Sequence, residues 1–271
     1  MQTASAKLPP RDTAEGEARA TANRLLSAQP DAVPMTAQWL AEHGISAQQL
    51  MRYRAAGWLE SPSKGLWQRV GQRITWQGAV QALQQQLKLK VWPAARTALE
   101  LTGQAHFIPL SDTPQIQLCL GANQRLPRWF RAMPATRNLS SFRGETLFQP
   151  EYVGLTAWES SGISLQISSP ERALLELCQL LPDKADAEEI SQLALGLPSL
   201  RAEMLRQLLL VCRSIKAKRL FMVLAQRANH PWSRQLDIDG VDFGRGKRSL
   251  KGGGKLDSQF QITVPPPWQD L

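Results

Sequence analysis

TAQWLAEHGISAQQLMRYRAAGWLESPSKGLWQRV, residues 36–70, decides how the rest of the chain is read. Thr36 has the side chain of a helix N-cap, and apolar Ala37, Trp39, Leu40 and Ala41 follow it. Gly44 stops that short helix. After Ile45, Ser46 caps a second one, SAQQLMRYRAAG, with Leu50, Met51 and Ala55 at helical spacing and Gly57 at its end. Trp58 and Leu59 open a strand, Ser61 to Gly65 form a turn, and Leu66 to Val70 return. Helix, glycine turn, helix and hairpin is the order of a winged helix-turn-helix.

A recognition helix docks its apolar face and presents polar and basic side chains to base edges and phosphates. In the second helix Ser46, Gln48, Gln49, Arg52, Tyr53 and Arg54 form the expected exposed set. Gln can pair with adenine, and Arg with guanine or phosphate. The wing adds Lys64, Arg69 and Arg73. From residue 34 to 73 there are five basic side chains against two acidic ones, Glu42 and Glu60. A helical subdomain with a solvated charged face, or a winged helix used only for protein contacts, has the same pattern.

Outward from this block, residues 1–33 read as an extension. A weak first helix is expected from Asp12 or Thr13 to Ala28, ended by Gln29, Pro30, Asp31 and Pro34. A Gln-rich helix is expected from Ile74 to Leu89, and another over 94–103. The period then changes to two. Ile116, Leu118 and Leu120 alternate with Gln117 and Cys119, and two strands over 155–158 and 163–167 flank a turn at Ser160–Gly162. SSPERALLELC starts a helix, with Ser168 and Glu171 as a capping box and Pro170 in the first turn. Two apolar helical faces follow, one on Leu205, Leu208 and Leu209, the other on Ala217, Leu220, Phe221, Leu224 and Ala228. Short strands and glycine loops close the chain. The expected fold is α+β. A winged helix-turn-helix over 34–90 precedes a mixed α/β C-terminal domain over 91–271.

The 271 residues hold 32 Lys+Arg against 23 Asp+Glu, a balance that suits a polyanionic partner. From Arg201 onward thirteen basic residues face six acidic ones, seven of the net nine charges. Lys216, Arg219 and Arg227 are expected on a helix face turned away from the apolar one. Arg245, Lys247, Arg248 and Lys255 decorate a glycine-rich stretch. This is a second polyanion site, for RNA or a nucleotide, or a basic surface serving solubility or an acidic partner.

Cys119, Cys178 and Cys212 stand apart without a C-x-x-C pair, so neither disulfide framework nor zinc site is implied. His43, His106 and His230 sit in no nucleophile or metal motif, and GGGK at 252–255 lacks the flanking residues of a P-loop. Asp237, Asp239 and Asp242 beside Gly240 and Gly244 read as turn formers rather than metal ligands. No catalytic residue, metal or cofactor is expected. Without an apolar leader or a membrane-length apolar run, the expected compartment is the cytoplasm, with no membrane partner.

Four segments in order carry a resemblance. Residues 36–69, the stretch AARTALELTGQAHF, the stretch ISSPERALLELCQLLPD, and CRSIKAKRLFMVLAQRANHPW with DFGRGKRSLKGGGKLDSQFQITVP together resemble AbiEi-type antitoxins of abortive-infection systems used in phage defence. The similarity runs from about Pro34 to Pro265. It implies a type IV toxin-antitoxin operon with a nucleotidyltransferase-like toxin of the AbiEii type. The N-terminal domain would bind inverted repeats in the promoter and repress the operon. The C-terminal domain would neutralise the toxin without a stable complex. The resemblance brings no catalytic residue. A nucleic-acid-processing enzyme tethered by a winged helix, and a plain ligand-responsive transcription factor, are the competing readings.

Overall fold

The computed structural model describes residues 26–105, 115–251 and 253–268. Most of the first helix expected from the sequence lies outside these residues; Leu26 to Ala28 are helical. Two compact units meet at Lys88 and Leu89, and the first also takes Ser161–Ile163. The break falls two residues before the one placed from the sequence. Lys88 leaves the helix in a left-handed conformation (φ 53°), and the Lys90 carbonyl already accepts from Gly121 at 2.7 Å inside the second unit.

The first unit runs β1 (Met35–Thr36), α1 (Ala37–Glu42), α2 (Ala47–Ala55), β2 (Leu59–Ser63), β3 (Leu66–Arg69) and α3 (Trp76–Gln81), which continues as a π turn over Ala82–Gln86. β3 lies between β1 and β2, antiparallel to both. The hairpin turn is only Lys64–Gly65, because Ser63 still pairs with Leu66. The two-residue β1 is too short to show a period of two. Its backbone is fixed by Gln86, which donates to the Pro34 carbonyl and accepts from the Thr36 amide, both at 2.8 Å. α3 starts at a Thr75 cap rather than at Ile74. Leu26, Met35, Leu40, Ile45, Leu50, Tyr53, Leu59 and Trp67 form this unit's core. Leu26 and Val33 are buried, so the extension contributes to the core from Leu26 onward.

The second unit contains β4 (Val91–Pro93), α4 (Ala95–Leu101), β5 (Ile116–Leu120), α5 (Arg128–Ala132), β6 (Leu139–Arg143), the hairpin β7 (Leu155–Ser160) and β8 (Ile163–Ser168), and then a helical layer. That layer is α6 (Pro170–Leu180), α7 (Ala187–Leu195), α8 (Ala202–Val211), α9 (Ile215–Ala228) and α10 (Pro231–Gln235). A last hairpin joins β9 (Lys255–Asp257) to β10 (Ile262–Val264). In the sheet β4–β5–β6, β4 is antiparallel and β6 parallel to β5. β5 alternates in sequence but is buried at every position, Gln117 and Cys119 included. The Gln117 side chain accepts from the Arg96 amide at 3.0 Å, which accounts for a polar group there.

The helix begun by SSPERALLELC is capped by Ser169, not Ser168, because Ser169 Oγ accepts from the Arg172 amide. Ser168 instead donates to Glu176 at 2.9 Å. Arg172 and Glu176, one turn apart and both fully buried, pair at 2.7 Å. Arg172 also donates to the carbonyls of Glu151 and Val153, both at 2.6 Å, and its guanidinium lies over the rings of Trp92 and Phe148. The second Glu176 oxygen accepts from the Ala95 amide at 2.8 Å. A buried ion pair this fully bonded joins strand, loop and helix, and removing either partner costs about 3–5 kcal/mol. Glu171 accepts from the Arg201 amide and receives its guanidinium on both oxygens, at 2.9 and 3.1 Å. It ties α6 to the start of α8 rather than completing a capping box.

Candidate nucleic-acid interface

α1 and α2 are set by their ends. Thr36 Oγ1 accepts from the Trp39 amide at 3.2 Å. Ser46 and Gln49 cap each other reciprocally, at 3.2 and 2.8 Å. Each helix ends in a Schellman turn. Gly44 and Ile45 donate to the carbonyls of Ala41 and Leu40, and Gly57 and Trp58 to those of Arg54 and Tyr53. The closing glycines have φ of +80° and +73°, left-handed values that a side chain would strain. Sequence therefore fixes where α2 begins and ends, and the buried Leu50 and Tyr53 fix which face it docks.

That face differs in part from the one expected. Tyr53 is core, stacked 5.8 Å from Trp58, whereas Met51 and Ala55 are exposed. At 100° per residue, Gln48 and Ala55 lie at the middle of the face opposite Leu50 and Tyr53, with Met51 and Arg52 to either side and Ala47 and Arg54 towards its Leu50 edge. Gln48, Arg52 and Arg54 are exposed, as are Lys64 at the hairpin tip and Arg73 beyond it. Among the described residues none of these five has an ion-pair or hydrogen-bond partner for its side chain. The other expected contacts are engaged in the fold. Ser46 and Gln49 are used by the capping box. Arg69 donates to the Gln29 carbonyl at 3.0 Å and forms an ion pair with Asp31, bracing the segment before β1.

In the second unit the expected basic helix face is not one. Arg219 is buried; Nε donates to the Phe243 carbonyl and Nη1 to those of Gly246 and Gln261, at 2.7–2.8 Å. Burial pushes its pKa down, and the neighbouring Arg248 charge adds to that. Lys216 donates to the carbonyls of Gln179 and Leu181 at 2.5 and 2.8 Å, and burial lowers its pKa also. Arg227 is half-buried and donates to Ser191 at 3.1 Å. Most of α9 is buried, so Lys216 and Arg219 meet backbone carbonyls instead of water. Arg245, Lys247 and Arg248 are exposed, with no side-chain partner among the described residues; Lys255 lies exposed in β9.

The late aspartates hold turns. Asp237 accepts from the Asp239 amide at 2.9 Å and pairs with Arg206, and Asp242 accepts from the Gly244 amide at 2.7 Å. Gly254 of the GGGK turn sits where a Cβ would stand 2.1 Å from the Val264 carbonyl oxygen, so the glycine serves close packing on β10. The three cysteines are buried free thiols. Burial raises Cys212 to about 11, and Cys119 and Cys178 upward too, so none is primed as a nucleophile at neutral pH. Among the described residues no group of His, Cys, Asp and Glu is arranged to hold a metal, and no helix is long and apolar enough to cross a membrane.

Sequence reasoning missed the buried Arg172–Glu176 pair. Its signal was an Arg and a Glu four apart with only apolar residues between them. It also missed the arginine-rich stretch 125–143, which holds five arginines and no acid.

Residues 113–265 match a family model described as transcriptional regulator, AbiEi antitoxin, type IV toxin-antitoxin system. Residues 18–110 match the model of the AbiEi antitoxin N-terminal domain. No curated protein matches the chain. Among solved structures, the RV2827C protein from Mycobacterium tuberculosis is similar at a TM-score of 0.56 and 17% identity, over 91% of this chain and 90% of that one. At that identity the likeness concerns the fold alone.

Proposed function

Because the chain belongs to the AbiEi antitoxin family of transcriptional regulators of type IV toxin-antitoxin systems, we propose that its first unit is a winged helix that represses its own operon. In this reading α2 enters the major groove of inverted repeats in the promoter. Gln48 reads adenine, Met51 contacts a thymine methyl group, and Arg52 and Arg54 take guanine or phosphate. Lys64 and Arg73 neutralise flanking phosphates from the hairpin side. The observation that carries the reading is the free face of α2, where capping and docking use every other polar group and leave Gln48, Arg52 and Arg54 without a partner among the described residues.

The test is operator binding by the full chain, against Arg52→Ala/Arg54→Ala. Wild-type affinity is expected to fall steeply with salt, with a log–log slope of about 0.9 per phosphate neutralised. The double variant is expected to lose about 1–3 kcal/mol for each base contact removed, with unchanged thermal stability. Undiminished operator binding by the variant would show that α2 is not the reading helix.

The second unit is assigned the neutralisation of a nucleotidyltransferase-like toxin, through the exposed charges of Arg245, Lys247 and Arg248. A basic surface there competes for RNA or nucleotide phosphates without holding the toxin. Lys216 and Arg219 are left out of that surface because their donors are already taken up inside the fold.

A further inference from the structure

We propose that an arginine-lined pocket at the carboxyl ends of β5 and β6 binds a nucleoside polyphosphate. The proposal goes beyond the reading above and does not depend on it. β5 and β6 are parallel, from Ile116 beside Leu139 to Leu120 beside Arg143. Parallel strands send their ends to the same side, and the crevice beyond the carboxyl ends is where open α/β sheets take ligands. Here that crevice is a pocket of about 440 Å³, a volume that suits a ligand of mononucleotide size.

Its lining is one-sided in charge. Arg125, Arg131 and Arg143 line it, and among the described residues no acidic one does. Arg143 is held in place by donating to the carbonyls of Gly121 and Gln124, at 3.3 and 3.0 Å. Arg125 and Arg131 are exposed and have no ion-pair or hydrogen-bond partner among the described residues. Three guanidinium groups around one opening repel each other until an anion is shared between them. The choice of cation is also informative. From Gly121 to Gly144 the chain has five arginines, no lysine and no Asp or Glu. A face that needed only solvation would be served by lysine, whereas the planar guanidinium fork matches phosphate oxygens two at a time. Leu126 and the half-buried Phe142 supply an apolar wall in the same pocket. That wall offers a nucleobase a face to pack on, which bare phosphate cannot use.

The experiment is calorimetric titration of the full chain at about 0.15 M salt. The probes are the four ribonucleoside triphosphates, inorganic tripolyphosphate, and a single-stranded RNA dodecamer. At least one nucleoside triphosphate is expected to bind about tenfold or more tightly than tripolyphosphate. Arg125→Ala/Arg131→Ala is expected to weaken it by about tenfold or more, at unchanged melting temperature. Arg125→Lys/Arg131→Lys keeps the charge, removes the fork, and is expected to weaken binding in the same direction. This second variant gives a reading even if the alanine pair is destabilised. No binding at millimolar nucleotide, or binding indifferent to both double variants, would overturn the proposal. Equal binding of tripolyphosphate would overturn the role given to the apolar wall. Tighter, arginine-dependent binding of the RNA would replace a nucleotide pocket by an RNA track.

Discussion

Arg52 and Arg54 on α2 and Arg219 on α9 look alike in the sequence, as basic side chains spaced along amphipathic helices. In the structure they reach opposite ends of the exposure scale. The α2 arginines leave a helix with one docked face and have nothing to bond to within the described fold. Arg219 leaves a helix covered by a loop and by β10, and finds three backbone carbonyls in reach. A guanidinium is a ligand-binding group when its donors are free and a structural brace when backbone acceptors surround it. The number of charges in a segment therefore does not measure the charge of a surface. Of the sixteen side chains that sequence alone nominates for binding, Tyr53, Ser46, Gln49, Arg69, Lys216, Arg219 and Arg227 serve the fold.

The strongest way to break this comparison is to truncate the brace. Arg219→Ala removes three charge-assisted bonds to the part-buried carbonyls of Phe243, Gly246 and Gln261 and empties the buried site of the guanidinium. Losing charge-assisted bonds and leaving acceptors unpaired is expected to cost about 3 kcal/mol. Urea unfolding of the full chain measures this, and operator affinity under native conditions is expected to stay at the wild-type value. If the variant unfolds at wild-type urea, Arg219 is not a brace and belongs again among the candidate binding residues.

The opposite behaviour is expected of the neighbouring loop. Charge reversal at Arg245, Lys247 and Arg248 together is expected to leave the unfolding transition within about 0.5 kcal/mol of wild type, as for surface positions generally. Cells that express the toxin beside this variant are expected to stop growing while operon repression persists. Full protection by the triple variant would mean that these charges are only solvated, and that neutralisation lies elsewhere in the second unit.

A smaller effect sharpens the same contrast from the acidic side. Burial raises the Glu171 carboxyl, but the hydrogen bonds from Arg201 more than offset this and hold it below its ordinary 4.5. A folded pKa below the unfolded one contributes stability that is complete above 4.5 and is lost as pH falls through the folded value. Because the Arg201 side chain is 61% exposed, solvent screening limits the pair to about 1 kcal/mol. Glu171→Gln is expected to be less stable than wild type by that amount at neutral pH, with the gap narrowing below pH 4.5. A gap independent of pH would show that shape, not charge, ties α6 to Arg201.

Legibility followed locality. The caps at Thr36 and Ser46 and the stops at Gly44 and Gly57 were readable because each is a local event between a side chain or glycine and the backbone within four residues. The Lys64–Gly65 hairpin was readable for the same reason, although the turn expected from Ser61 starts three residues later. β1 was not, because a two-residue strand exists only through its pairing with β3. Ser168 and Ser169 are both caps by type. Which one caps depends on Glu176, eight residues on, claiming Ser168.

By itself the sequence determined the order α1, α2, β2, β3 in the first unit, the ends of α2 and the identity of the family, since caps, glycine stops and ordered motifs are written in consecutive residues. Only the tertiary structure decided which cations face solvent. Burial and the supply of carbonyl acceptors come from segments 24 to 42 residues away, as Phe243, Gly246 and Gln261 are for Arg219. No helical period of one segment contains that information, because the energy that distinguishes a brace from a free charge belongs to both partners.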